Sequence, residues 1–197
     1  MLAVESGSQH LTRAMRSLEA IFLIGVEGVT EISLVRHADC YSDMTALVDP
    51  PLSALGREQA RRLAGRVKSR QPTAVYSSPL RRATETAQAI TENFTIDERL
   101  VEMALDISED GSLEFKEPHD SAVQRMGGVV DDVARAHEGG HVILVTHAAS
   151  IVACLTDVMR LDAGRLRILP YYTSISTVRA LGEHRMVGAL GDVAHLE

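Results

Sequence analysis

Two histidines of this chain come directly after short apolar segments, at the points where buried strands would end. His37 follows residues 32–35 with Arg36 between them, and His147 follows residues 141–146. A neutral imidazole is a good nucleophile or proton carrier near pH 7. An arginine guanidinium binds phosphate oxygens through paired N–H bonds. These residue types together favour chemistry on a bound anion, carried out by groups that can gain and lose protons.

A third apolar segment ends in the same way. Residues 73–76 are followed by Ser77 and Ser78, and Arg82 comes one helical turn later. Parallel strands bring their carboxyl ends to one edge of a sheet, where ligands bind in α/β folds. Helices that begin at this edge would add free backbone N–H groups to the same pocket. We therefore expect a phosphate site, with Arg82 in it and the neighbouring Arg81 on the solvated face of its helix.

The pattern after residue 30 alternates between strands and helices. Apolar residues at helical spacing in 53–69 predict a helix with Ser53 as its N-cap. The other predicted elements are strands at 32–35, 73–76 and 141–146, helices from Pro79, at 120–137 and at 149–159, and a C-terminal hairpin that turns near Gly182 and Glu183. This alternation with apolar strands predicts an α/β fold of three layers, a mostly parallel sheet with helices on both faces.

Length and composition fit one ordinary globular domain. The 197 residues are 45% hydrophobic and 24% charged, which is a typical balance. A net charge of −7 argues against binding to nucleic acids or anionic membranes, because both require a basic surface. The cysteines, Cys40 and Cys154, have neither the spacing of a metal site nor that of a disulfide framework. We expect a reducing, cytoplasmic location.

Residues 1–30 are interpreted as an N-terminal extension, packed on or flexible beside a domain at 31–197. Their one apolar run, 21–26, follows charged residues in an order unlike that of a signal peptide. The run is also far shorter than the roughly 20 residues that cross a bilayer. We expect a peripheral helix and a short extra strand here, and Met15 is an alternative start of the chain.

Five segments of the chain resemble the motifs of one family and occur in its order. LVRHAD resembles an Arg-His-Gly signature, and VILVTHAAS resembles a second histidine motif. PLSALGREQA, YSSPLRRATETA and ERLVEM resemble a Leu-Ser/Thr-x-x-Gly-x-x-Gln-Ala motif, a Ser-Ser-x-x-x-Arg-Ala-x-x-Thr-Ala motif and an acid-bearing loop. Over about residues 31–160, the chain thus resembles the histidine phosphatase superfamily of phosphoglycerate mutase-like enzymes.

The resemblance implies a role for each polar residue of the expected pocket. His37 would be the nucleophile that becomes phosphorylated. Glu102 would protonate the leaving group and later help to deprotonate the attacking water. Negative charge develops on the phosphoryl oxygens during transfer. The residues that would hold these oxygens are Arg36, Arg82, His147 and Ala148. No metal and no cofactor is expected.

The chain departs from the family pattern at three positions. Ala38 and Ala148 replace the glycines that follow the two histidines, and an alanine would be strained there if the backbone required a positive φ. Asp43 stands where many relatives have asparagine, and its carboxylate would disfavour strongly anionic substrates if it points inward. Of the remaining histidines, only His119 is expected near the rim of the pocket.

The assignment of the proton donor has competitors in the sequence. Acidic residues close to Glu102 could serve instead, and these are Asp97, Glu98 and Asp106. An acid on a loop is most often simply solvated. The acidic segment that follows Glu102 also lacks the aromatic stretch that many relatives carry.

The sequence is interpreted as that of a phosphatase of the histidine acid phosphatase type, a hydrolase of phosphomonoesters. Two alternatives stay open: a cofactor-dependent phosphoglycerate mutase, and a non-catalytic, regulatory phosphate-binding module. A mutase must shield its phosphohistidine from water, and residues 103–146 leave little room for a cap. The expected substrate is a phosphorylated small molecule or a phosphoprotein, and the oligomeric state is left open.

Overall fold

The computed structural model describes residues 7–42, 49–108, 113–162 and 164–197. The strands are β1 Thr30–Arg36, β2 Ala74–Ser77, β3 Thr95–Ile96, β4 Leu105–Ile107, β5 Leu113–Phe115, β6 His141–Thr146, β7 Ile175–Leu181 and β8 His184–Asp192. The α-helices are α1 Gly7–Ile21, α2 Ala54–Lys68, α3 Arg81–Ile90, α4 His119–Ala136 and α5 Ala148–Val158. Short 3-10 helices lie at Glu98–Leu100 and Ala194–Leu196.

The main sheet has six strands in the order β3-β2-β6-β1-β7-β8. The first four run parallel, and β7 and β8 add two antiparallel strands beside β1. β6 lies between β2 and β1, with Leu144 paired to Tyr76 on one side and to Leu34 on the other. The side chains of β6 pack in core clusters on both faces of the sheet, which explains why residues 141–146 are so apolar.

Helices cover both faces of this sheet. Leu34 packs in one core cluster with Met126 of α4 and Ile151 of α5. Val35, the next residue of β1, points to the opposite face and packs in a second cluster with Leu63 of α2 and residues of α3. The predicted three-layer α/β fold with a mostly parallel sheet is therefore confirmed.

Most of the predicted elements form within one or two residues of their expected bounds. Ser53 caps α2, and its Oγ accepts a hydrogen bond of 2.9 Å from the backbone N–H of Gly56. The C-terminal hairpin turns at Gly182 and Glu183, between β7 and β8. Pro79 lies before α3 instead of in its first turn, because the helix begins only after the cap residue Leu80.

The prediction of a short strand at 21–26 is wrong. Residues 22–25 form a turn after α1, where Leu23 and Gly25 both have positive φ values, 56° and 67°. A left-handed backbone cannot continue a strand. The large apolar residues of α1, such as Leu11, Met15 and Leu18, are exposed.

The segment after Glu102 contains a hairpin that the sequence analysis did not predict. β4 and β5 pair antiparallel, with Asp106 opposite Glu114. Both of these carboxylates are exposed, so water screens their repulsion. Among the described residues, no helix has the length and apolar character that would be needed to cross a membrane.

Candidate active site

The polar residues after β1, β2 and β6 lie together at one edge of the sheet. The backbone N–H of His37 donates to the carbonyl of Thr146 over 2.9 Å, and that of Ser78 donates to the carbonyl of Val145 over 2.9 Å. The parallel ladder therefore continues for one residue beyond the strands. The His37 and His147 rings come within 5.0 Å of each other, measured between centroids.

The His37 ring is fixed in one tautomer. Nδ1 lies 2.8 Å from the carbonyl oxygen of Ala38, and a carbonyl can only accept, so Nδ1 carries the proton. Nε2 then has a free lone pair, and Nε of Arg82 donates to it over 3.2 Å. Burial lowers the pKa of His37 to about 3, and the nearby charges of Arg82 and Arg36 also act to lower it. His37 is thus a neutral imidazole with Nε2 available for bonding.

The loop that carries His37 is held by two neighbouring helices. The backbone N–H of Ala38 donates to Oγ1 of Thr86 on α3 over 3.0 Å, and that of Asp39 donates to Oε1 of Gln59 on α2 over 2.9 Å. α2 approaches so closely that a Cβ on Gly56 would lie 1.9 Å from the carbonyl oxygen of Asp39. Gly56, Gln59 and Thr86 of the sequence motifs therefore position the nucleophile loop.

The side chain of Asp39 closes the same loop from within. Its carboxylate accepts hydrogen bonds from Oγ of Ser53 at 2.5 Å and from the backbone N–H of Ser42 at 3.1 Å. Burial by itself would raise the pKa of Asp39, but these hydrogen bonds outweigh burial and lower it. Ser53 is therefore both the N-cap of α2 and a hydrogen-bond donor to the carboxylate of Asp39.

The two alanines that replace family glycines are accommodated without strain. Ala38 is completely buried and Ala148 is half-buried, and neither is among the described residues with positive φ. A methyl group at these positions therefore costs no backbone energy. Asp43, the third departure, lies outside the described residues.

His147 is fully buried behind His37. Its Nε2 lies 2.8 Å from Oγ of Ser78, and within the described part of the chain its Nδ1 is buried without a hydrogen-bond partner. Burial lowers the pKa of His147 well below the ordinary range, and the proximity of His37 and Arg82 adds to this effect. Ser78 was noted in the sequence only as the end of a strand, and the structure shows that it orients this ring.

Arg36 directly precedes His37, and its side chain contacts the segment before β7. Its guanidinium carbon lies 4.0 Å from the centroid of the Tyr172 ring, a cation–π geometry. Its Nη1 donates to the carbonyl of Pro170 over 2.8 Å, whereas its Nε is buried without a partner among the described residues. The positive charges of Arg36 and Arg82 thus lie close to both imidazoles.

Tyr172 is a pocket residue that the sequence analysis missed. Its ring centroid lies 5.9 Å from that of His37, and burial raises the pKa of its hydroxyl. The only signal in the sequence was the pair Tyr171-Tyr172 in a chain with 4% aromatic residues.

The side chain of Glu102 lies against the start of α5, the helix that directly follows His147 in the chain. Its Oε1 accepts from the backbone N–H groups of Met103 at 2.9 Å and Ser150 at 3.2 Å, and Oε2 accepts from that of Ala149 at 3.4 Å. The N–H groups of Ala149 and Ser150 belong to the first turn of α5, the positive end of that helix, which favours a carboxylate. Glu102 therefore occupies the edge of the sheet where the other candidate residues meet.

The competing acids are placed differently. Asp97 is held by Arg99, with Oδ2 of the aspartate 2.7 Å from Nη2 of the arginine, and this hydrogen bonding lowers the pKa of Asp97. Glu98 and Asp106 are exposed. An acid that is already neutralised by an arginine, or that faces bulk water, is poorly suited to donate a proton inside the pocket.

The remaining candidates separate clearly. Arg81 is exposed and pairs with Glu85 over 2.8 Å, whereas Arg82 contacts His37 and lies 3.7 Å from the carboxylate of Asp49. Cys40 is buried and forms no disulfide. His119 is the first residue of α4.

The low pKa of His37 predicts how the stability of the fold depends on pH. The unfolded chain binds a proton at His37 below about pH 6.5, and the folded protein does not bind one until about pH 3. The free energy of unfolding should therefore decrease as the pH falls from 6.5 to 4.5. His37→Asn should reduce this slope by up to about 1.4 kcal/mol per pH unit. Urea unfolding at several pH values measures it.

His184, which is exposed, supplies the control. His184→Asn should leave the slope unchanged. His141 and His195 also have lowered pKa values because of burial, but they remain in both variants and cancel in the comparison. His147 loses the contribution of His37 in His37→Asn, but burial, the largest cause of its lowered pKa, remains. An unchanged slope in His37→Asn would contradict the placement of a neutral His37 in the core.

Comparison with known proteins agrees with this geometry. The model of the histidine phosphatase superfamily, branch 1, matches residues 32–114 and 109–192. A metal-independent phosphoserine phosphatase of Arabidopsis thaliana is 27% identical over 203 residues, covering 85% of this chain and 84% of its own. A probable phosphoglycerate mutase of Enterobacter is 24% identical over 204 residues, covering 85% and 95% respectively.

A solved structure shows the same fold. The phosphoserine phosphatase of Entamoeba histolytica in complex with 3-phosphoglyceric acid superposes with a TM-score of 0.73 at 22% identity, covering 85% of this chain and 100% of the other. The family match includes all three strands whose ends form the pocket. The chain therefore belongs to the histidine phosphatase superfamily.

Proposed function

We propose that the protein hydrolyses phosphomonoesters through a phosphohistidine formed on Nε2 of His37. One observation carries this proposal: Nδ1 of His37 is bonded to a backbone carbonyl, so a neutral Nε2 faces the guanidinium of Arg82. A phosphoryl group bonded to Nε2 would take the place of the lone pair that Arg82 now contacts. Arginine at this position would then bind a phosphoryl oxygen.

The first step is the transfer of the phosphoryl group from the ester to His37. Nε2 attacks phosphorus, and the bond between phosphorus and the ester oxygen breaks. Negative charge spreads over the equatorial oxygens, which Arg36, Arg82 and His147 stabilise. Arg36 and His147 each have a buried nitrogen without a partner among the described residues, and these nitrogens are suited to such oxygens. Glu102 supplies a proton to the departing oxygen.

The second step is the hydrolysis of the phosphohistidine. The carboxylate that Glu102 has become accepts a proton from water, and the water oxygen attacks phosphorus. The bond between Nε2 and phosphorus breaks, and inorganic phosphate is released. The same group acts first as an acid and then as a base, so the cycle restores the enzyme.

The environment of His37 supports an assignment to the acid phosphatase type. Because the pKa of His37 is lowered to about 3, the nucleophile stays unprotonated in mildly acidic solution. The acid limb of the pH profile would then be set by other groups. Such a nucleophile suits an enzyme that needs a protonated Glu102 for the first step.

The names of the relatives support a small phosphorylated molecule as the substrate. Phosphoserine phosphatases are among the similar proteins, and one of their structures holds 3-phosphoglyceric acid. Phosphoserine and 3-phosphoglyceric acid are both phosphate esters of alkyl alcohols, and the oxygen of such an alcohol leaves poorly without a proton. A protonating Glu102 is what this substrate class requires.

Mutase activity is the second candidate, because several relatives are named as probable phosphoglycerate mutases. A mutase must keep water from the phosphohistidine until an acceptor returns. In the segment after Glu102, the described acids Asp106 and Glu114 are exposed on a small hairpin. Their negative charge disfavours a bisphosphorylated priming ligand.

We expect steady release of phosphate from small monoesters and no interconversion of 2- and 3-phosphoglycerate, with or without 2,3-bisphosphoglycerate. Free phosphate and enolase-coupled product are measured on one preparation, across a panel that includes phosphoserine and 3-phosphoglycerate. Rapid isomer exchange with negligible phosphate release would overturn the phosphatase proposal in favour of a mutase. The absence of both reactions would favour a non-catalytic module.

A further inference from the structure

Arg125 lies on α4, and its side chain is only 15% exposed. It forms a bidentate ion pair with Glu117, in which Nε and Nη2 of the arginine lie 2.7 Å from Oε1 and 2.8 Å from Oε2 of the glutamate. Glu117 is equally enclosed, at 15% exposure, and this pairing lowers the pKa of Glu117. The loss of hydration offsets much of the attraction between two enclosed charges, so the pair by itself is weak evidence for a contribution to stability.

The remaining N–H groups of Arg125 reach the loop that carries Glu102. Nη1 donates to the carbonyl of Arg99 over 2.7 Å, and Nη2 donates to Oγ of Ser150 over 3.1 Å. The guanidinium therefore joins α4, the loop before Glu102 and the first turn of α5. Its planar shape fixes the mutual orientation of these three segments.

Ser150 passes this constraint on to Glu102. The Oγ atom of Ser150 accepts a hydrogen bond from Arg125, so its own O–H must point towards another acceptor. Oγ lies 2.7 Å from the carbonyl oxygen of Val101 and 3.4 Å from Oε1 of Glu102. The backbone N–H of Ser150 also donates to Oε1 over 3.2 Å.

The chain on the other side of Glu102 is tied to the same ion pair. The backbone N–H groups of Lys116 and Glu117 donate to the carbonyl of Ala104 over 2.7 and 3.2 Å. Residues 99–104 are therefore held at both ends, by the side chain of Arg125 and by the backbone beside Glu117.

We propose that Arg125, oriented by Glu117, is the positioning residue that places the carboxyl group of Glu102 for proton transfer to the leaving group. The inference rests on the proposed function, since it assumes that Glu102 is the proton donor. Arg125 touches no reacting atom and acts through Ser150 and the loop. A displacement of about 1 Å in a reacting group can cost on the order of 100-fold in rate.

The test compares two esters that differ in their need for a proton. Glycerol 3-phosphate releases a strongly basic alkoxide, whereas p-nitrophenyl phosphate releases a phenolate that is stable without protonation. For Arg125→Lys, which keeps the charge and loses the planar fork, we expect kcat/KM for glycerol 3-phosphate to fall about 10- to 100-fold. For p-nitrophenyl phosphate we expect a loss of less than about threefold, because no proton transfer is needed.

Arg135→Lys is the matched control, since Arg135 is on the same helix and 70% exposed. It should leave both values unchanged. Ser150→Ala is a second variant that removes the relay without disturbing the ion pair, and it should give the same selective loss. In Arg125→Lys/Glu102→Gln, the selective loss should not exceed that of Glu102→Gln alone, because both changes remove one function.

Equal losses on the two esters for both Arg125→Lys and Ser150→Ala, or no loss at all, would overturn the inference. Additive selective losses in the double variant would also overturn it. The proposed function is judged on the wild-type protein and on Glu102→Gln. If these behave as expected and the Arg125 and Ser150 variants do not, only the positioning role fails. If Glu102→Gln shows no selective loss, the proton-donor assignment fails, and the inference fails with it.

Discussion

His37→Ala should abolish the hydrolysis of phosphomonoesters, with a loss of at least about 10⁴-fold in kcat, the scale seen when a covalent nucleophile is removed. His147 cannot replace it, because that ring lies behind His37 with Nε2 directed to Ser78. Arg82 and Arg36 could still bind the ester, but neither can replace the imidazole as a nucleophile, so only slow direct attack by water would remain. Phosphate release under saturating substrate measures the effect.

Trapping of the intermediate tests the same prediction independently. Wild-type protein quenched during turnover of ³²P-labelled substrate should carry label that is lost in acid and retained in alkali, as expected for a phosphorus–nitrogen bond. His37→Ala should carry none, while His184→Ala, which changes an exposed histidine, should be labelled like the wild type. Binding of inorganic phosphate by His37→Ala shows that its pocket is intact. Acid-stable label, or a fully active His37→Ala protein, would reject the mechanism.

The sequence predicted the strand ends because two physical rules act together there. The apolar run at 141–146, which alternates with helical segments on either side, is typical of a strand buried on both faces, and parallel strands bring their ends to one edge. The contacts of His37 with Thr146 and Arg82 follow from this arrangement. The sequence motif also contains Gly56. The motif does not explain why glycine is needed there, and the structure does: α2 approaches the backbone of Asp39 too closely for a side chain.

Other parts of the site could not be predicted from the sequence. Arg125 is separated from Glu102 and Ser150 by more than twenty residues each way, and nothing in the pattern of α4 distinguishes it from other helical arginines. Tyr172 reaches His37 from the irregular segment before β7, where no periodicity guides a prediction. The error at residues 21–26 has a different origin: apolar content alone does not distinguish a strand from a turn that follows a helix.

Glu102→Gln should separate substrates by their leaving groups. Glutamine keeps the size of the side chain and can still accept hydrogen bonds from the N–H groups of Met103 and Ser150, but it cannot give up a proton. For glycerol 3-phosphate we expect kcat/KM to fall by about 10² to 10⁴-fold. For p-nitrophenyl phosphate the loss should be much smaller, because p-nitrophenolate departs without protonation.

The choice of kcat/KM matters for this test. When departure of the leaving group is irreversible, kcat/KM reports the steps up to the formation of phosphohistidine. Hydrolysis of that intermediate, in which Glu102 would act as a base for either substrate, affects kcat instead. In Glu102→Gln, p-nitrophenyl phosphate should therefore give a burst of p-nitrophenolate followed by slow turnover.

Glu98→Gln is the matched control, since Glu98 is an exposed acid four residues away and should change neither ester. If Glu102→Gln lost the same factor in kcat/KM on both esters, Glu102 would have a structural role at the start of α5. If Glu98→Gln showed the selective loss instead, the proton donor would be Glu98. A burst without a selective loss would leave Glu102 as the base of the second step and require another acid for the first. The combination we expect, a selective loss together with a burst, assigns both proton transfers to one carboxyl group.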